Sequence, residues 1–75
     1  MNRKVLMIDD LDPDGIKITV DWDNLEVGGS AFIPCINTEK AHQQVKNVEK
    51  RKKWTIKMQV RVENAKLGVR LWRTT

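Results

Sequence analysis

At 75 residues, 40% of them hydrophobic, the chain has material for one small core, since a domain of this size buries only about 60% of the surface its unfolded chain exposes. That allows one helical layer on one sheet and leaves little room for a deep active-site pocket, which runs to roughly 300 Å³ or more. The net charge of +4 is unevenly divided: residues 1–38 carry three Lys/Arg against seven Asp/Glu (−4), and residues 39–75 carry eleven against three (+8).

The opening "RKVLMI" is a short apolar run that reads as a strand. It is too short for a secretory signal or a membrane span. "DDLDPDG" follows, a turn punctuated by Pro13 and Gly15. "IKITVDW" alternates, with Ile16, Ile18, Val20 and Trp22 on one face, and predicts a half-buried strand that forms a hairpin with the first. "DNLEVGGS" is a loop bent at Gly28-Gly29, and "AFIPCI" is a further strand, held to a sheet edge by Pro34. "NTEKAHQQVKNVEKRKK" is the helix: Asn37 or Thr38 caps it, Ala41, Val45 and Val48 form a thin apolar stripe, and cations crowd its negative end. "WTIKMQVRV" and "LGVRLWR" alternate on either side of the turn "ENAK". Pairing Val62 with Leu67, Val60 with Val69 and Met58 with Leu71 gathers the apolar residues of both strands on one face. The expected fold is therefore α+β: a small, mostly antiparallel sheet with one helix on one face, in the order β-β-β-α-β-β. The whole chain is expected to be one domain, with 1–22 as an N-terminal hairpin added to a β-α-β-β core at 23–75. Trp22, Trp54 and Phe32 are expected in that core, Phe32 as the plug between sheet and helix.

The same register defines the opposite face. It pairs Arg61 with Gly68, Gln59 with Arg70, and Lys57 with Trp72. One reading makes Trp72 a surface ring under the Lys57 ammonium, a cation–π contact worth about 0.5–1 kcal/mol. The other makes the face a nucleic-acid surface on which Lys57, Arg61 and Arg70 hold phosphates and Trp72 stacks on a base, with Arg73 and the helix-tail residues Lys50, Arg51 and Lys53 as further phosphate contacts. Sheet readers of RNA usually stack two or three bases, so a lone ring is few.

Residues 21–75 resemble small phage- and prophage-encoded proteins with a G-x-S-x-F-x-P strand, a basic helix and a closing G-x-R-x-W-R strand. The matching positions are Gly28 or Gly29, Ser30, Phe32, Ile33 and Pro34, then Gly68, Arg70, Trp72 and Arg73. Ala31 departs from the pattern, standing where a second aromatic often sits. The resemblance implies a phage origin and brings no activity with it.

Other chemistry is thinly supported. Asp10, Asp12, Asp14 and Gly15 fit D-x-D-x-D-G with Asp21 at loop position twelve, but the flanks read as strands, and position twelve lacks the bidentate Glu of a calcium loop. The turn reads instead as solvated, or as an acidic screen for the basic half. One His (His42) and one Cys (Cys35) make no zinc set, and nothing orients them as a dyad. Cys35 reads as a small buried hydrophobe and, as the only cysteine, points to a reducing compartment, the host cytoplasm. "KNVEKRKKW" has too thin an apolar side to lie on a membrane. The expectation is a non-enzyme with no cofactor and no metal, binding DNA or RNA through phosphates. The alternative is a protein that inhibits or redirects a host polymerase or defence nuclease by surface contact. Homodimerisation through an edge strand, 3–8 or 31–35, is compatible with either.

Overall fold

The computed structural model describes residues 9–75. Four regular elements follow a single 3-10 turn at Trp22–Asn24: β1 (Ser30–Pro34), α1 (Thr38–Lys52), β2 (Ile56–Glu63) and β3 (Lys66–Arg73). The three strands form one antiparallel sheet in the order β1-β3-β2. The architecture is α+β as expected, but the order is β-α-β-β. The expected first strand at 3–8 lies outside the described residues. The expected second strand at 16–22 does not form. Gly15 turns the chain at φ 85°, one antiparallel bridge joins Leu11 to Ile18, and the Trp22 N–H then donates to the nearby Val20 carbonyl, curling the chain out of an extended path. Alternation was a true guide to burial from Ile18 to Trp22. It failed at Ile16, which is 73% exposed.

The helix forms where its sequence places it. The Asn37 side chain accepts from the Lys40 N–H at 3.0 Å, and Lys53 closes the helix in the left-handed region at φ 59°. Ala41, Val45 and Val48 are fully buried, and the helix packs on β2 and β3. β2 and β3 meet through a two-residue turn, Asn64-Ala65, with both residues at positive φ, the geometry that matches the twist of a hairpin. The register is the expected one, Val62 to Leu67 through Lys57 to Trp72.

The acidic segment is a structural strap, not a solvated turn. Asp9 pairs with Arg51 at 2.9 Å and Lys52 at 3.5 Å near the end of α1. The Asp12 N–H donates to Gln44 Oε1 at 2.9 Å while Gln44 Nε2 donates to Asp12 Oδ1 at 2.6 Å, near its middle. Asp14 accepts from the Ile36 and Asn37 N–H groups, both at 2.8 Å, at its start. The strap thus runs antiparallel to the helix along its length. Leu11 beneath it is 1% exposed and joins Trp22, Leu25, Ile33, Val45, Val48, Ile56 and Leu71 in one core. The Asp12 and Asp14 oxygens are engaged by the protein itself rather than converging as a cation loop would require.

Two of the tryptophans lie where expected. Trp22 is buried and donates from Nε1 to the Asp9 carbonyl at 2.8 Å; Trp54, half-buried, packs against it with the rings tilted by 59° and 6.4 Å between centroids. Phe32 does not plug the sheet–helix interface. Ile33 and Cys35 point into that interface, and Phe32, one residue out of phase, lies on the opposite face. Cys35 is buried against Ala41 and Val69, and burial, followed by the nearby Asp14 charge, pushes its thiol pKa up. Among the described residues, no helix is long and apolar enough to cross a membrane.

Candidate nucleic-acid interface

Among the described residues, the helix and strap cover one face of the sheet and leave the other open. Strand alternation sends Lys57, Gln59, Arg61 and Glu63 of β2, Lys66, Gly68, Arg70 and Trp72 of β3, and Ser30 and Phe32 of β1 to that open face. Among the described residues, four cations therefore share it with one carboxylate. Glu63 is the hub of the cationic part. It takes Arg70 in a two-pronged pair, Nε to Oε2 at 3.0 Å and Nη2 to Oε1, and takes Arg61 Nε at 3.1 Å. Arg70 Nη1 donates to Ser30 Oγ at 3.1 Å, and its guanidinium lies 5.5 Å from the Phe32 ring centre. The Arg70 hydrogen bonds hold the Glu63 carboxyl below the usual carboxylate range, and the same bonds raise the Arg70 pKa.

Asp14 is depressed likewise, first by the Asn37 N–H and then by that of Ile36. Both carboxylates stay ionised in the folded chain where the unfolded chain takes up protons first, so falling pH favours unfolding. The melting temperature is expected to hold from neutrality to about pH 5 and to decline below about pH 4. A chain carrying Asp14→Asn and Glu63→Gln should show a flatter acid limb in calorimetric melts. An unchanged limb would remove these two groups as its cause.

Beside Trp72 the face is concave. An open groove of about 520 Å³ is lined by Lys57, Gln59, Trp72, Arg73 and Thr74, with Val27 and Gly28 on its far wall. Its volume falls within the range of small-molecule sites. The wall is tied to β3 by the Gly28 N–H donating to the Arg73 carbonyl at 2.7 Å and the Arg73 N–H donating to the Gly29 carbonyl at 3.0 Å. Lys57 is opposite Trp72 in register, but its ammonium does not lie over the ring; among the described residues it has no ion-pair or hydrogen-bond partner.

The anticipated site residues are thus divided. Lys57, Arg61, Arg70 and Trp72 come together on the open face. Arg73 falls on the helix side: its guanidinium lies 3.8 Å from the Trp54 ring centre and donates to the Leu25 and Thr75 carbonyls. Its phase in β3 is that of Leu71, not Trp72, so its side chain serves packing. Lys50, Arg51 and Lys53 also belong to the helix side, with Arg51 held by Asp9 and Lys50 and Lys53 exposed. Phe32 is the residue sequence reasoning missed. Gly68 was the available signal, because a residue without a side chain leaves room for a neighbouring group, and the Phe32 Cζ stands 2.7 Å from where its Cβ would sit. No family model matches the chain, and no curated protein or solved structure matches it either.

Proposed function

We propose that this protein is a non-enzymatic module that binds single-stranded nucleic acid on the open sheet face. The observation that carries the reading is the groove lined by Trp72 with the Lys57 ammonium beside it, which has no partner among the described residues. A base stacks on the ring, Lys57 meets its phosphate, and Arg61 supplies a second cation along β2. Phe32, beneath Arg70, makes a second ring on the same face. Arg70 acts mainly by holding Glu63, so it contributes less to phosphate binding than its charge suggests. The phage resemblance of residues 21–75 belongs to the same proposal and favours DNA over RNA. A docking protein with a two-signed surface is the weaker reading, because Asp9, Asp12 and Asp14 are committed to the chain's own helix region.

Anisotropy with labelled single-stranded and duplex DNA and RNA at about 50 and 200 mM salt tests this, since phosphate-driven binding weakens steeply between those conditions. Trp72→Ala should lower affinity about tenfold or more, from about 1–3 kcal/mol per stacked base. Lys57→Glu, at an exposed position, should weaken binding without lowering the melting temperature. Binding that ignores both substitutions, or that is absent at low salt, removes the proposal.

A further inference from the structure

The sheet has one long edge that nothing in the described chain covers. β1, the other edge strand, has five residues and ends in Pro34, features that blunt an edge. β2 has eight residues, and among the described residues only β3 pairs with it. Its helix-side residues Val60, beside Thr38 and His42 at the start of α1, and Val62 are 60% and 68% exposed. An open strand with an unprotected backbone and two bare valines is a template for another strand.

We infer that β2 pairs antiparallel with β2 of a second copy, in a register centred on Val60, to give a continuous six-stranded sheet. This inference does not depend on nucleic-acid binding. The register follows from the strand itself. A two-fold axis perpendicular to the sheet places residues of one face opposite residues of the same face. Centring on Val60 sets Val60 against Val60, Met58 against Val62, Gln59 against Arg61 and Lys57 against Glu63. The apolar pairs cover the bare valines, and each Lys57 meets an opposite charge at both ends of the ladder. Centring on Gln59 would oppose Lys57 to Arg61, and centring on Arg61 would oppose Arg61 to itself; directly opposed like charges disfavour both. Glu63 already holds Arg70 and Arg61, so an incoming Lys57 joins an existing cluster. The two-fold also brings both open faces to the same side, with two Trp72 grooves on one surface.

Sedimentation of the full chain at about 0.1–0.5 mM tests the inference, a range suited to the weak affinity of a small interface. The expected mass is twice the 8.7 kDa of the chain. Val60→Lys should return the protein to monomer with its fold intact by circular dichroism. Mild oxidation of Val60→Cys in a Cys35→Ala background should give a disulfide-linked dimer, because the two residues 60 face each other within disulfide range. Lys57→Cys should not cross-link, since in this register its two copies stand six residues apart along the ladder, about 20 Å. A monomeric wild-type chain, a dimer that survives Val60→Lys, or cross-linking at residue 57 as readily as at residue 60 overturns the proposal.

Discussion

Gly68→Ala is expected to unfold most of the protein near its present melting temperature. A methyl group built at Gly68 would stand 2.7 Å from Phe32 Cζ and 2.8 Å from Pro34 Cα, and closer still to the Ile33 carbonyl oxygen. Two of these three neighbours are backbone atoms of β1, hydrogen-bonded into the sheet, so they cannot swing aside as a side-chain tip would. β1 must move away from β3 or the sheet must buckle. Overpacking of this kind costs about 1–3 kcal/mol and sometimes more. A core this small supplies only about 3–5 kcal/mol of net stability. A thermal melt should therefore fall by about 10 °C or more, at about 4–8 °C per kcal/mol for a domain of this length. Gly68→Ser should behave the same way, since the clash is with the first side-chain atom. A melt within a few degrees of wild type would mean that β1 sits further from β3 than described.

Leu11→Ala is expected to be comparably damaging, although Leu11 lies in no helix or strand. Its side chain is 1% exposed and packs in the core with Trp22, Val45 and Val48. Truncating a buried leucine costs about 2–5 kcal/mol, the spread reflecting how well the site collapses. The strap is also tied to the helix region by polar contacts from Asp9, Asp12 and Asp14, which a cavity beneath it would weaken. Chemical denaturation should show a lower midpoint with little change in slope if the whole chain still unfolds as one unit. Asp23→Ala, at an exposed position in the same N-terminal part, serves as the control with an expected change within about 0.5 kcal/mol. If Leu11→Ala matched that control, the strap would be a detachable cover rather than part of the core.

These two residues mark where local patterns lose their force. Alternation in β2 and β3 was enough to assign their register, because sliding one strand by a single residue would turn every valine to the wrong face. It could not assign the face of Phe32. In "SAFIPC" the inward set Ala31, Ile33 and Cys35 and the outward set Ser30, Phe32 and Pro34 each contain an apolar residue. The larger ring suggested the core, but Gly68 provides its seat on the open side. Arg73 shows the same rule: it stands one step along β3 from Trp72, and that step turns its side chain to the helix side, against Trp54. The candidate site was legible in its paired residues, Lys57 with Trp72 and Gln59 with Arg70. It was not legible in its groove, whose Val27–Gly28 wall comes from a loop with no local signal of where it docks.

What the sequence determined by itself was local: the helix and its Asn37 cap, the β2–β3 hairpin, the burial of Ala41, Val45 and Val48, and a basic C-terminal half. Each depends on neighbours within a few residues or across one tight turn. Tertiary structure decided the rest. It turned the acidic turn into a strap, because Asp14 found the bare N–H groups ahead of α1 and Asp12 found Gln44, partners 22 to 32 positions away. It also gave Arg70 to Glu63 and left Lys57 without a partner among the described residues, a choice between equal charges that only side-chain reach on the assembled sheet could make.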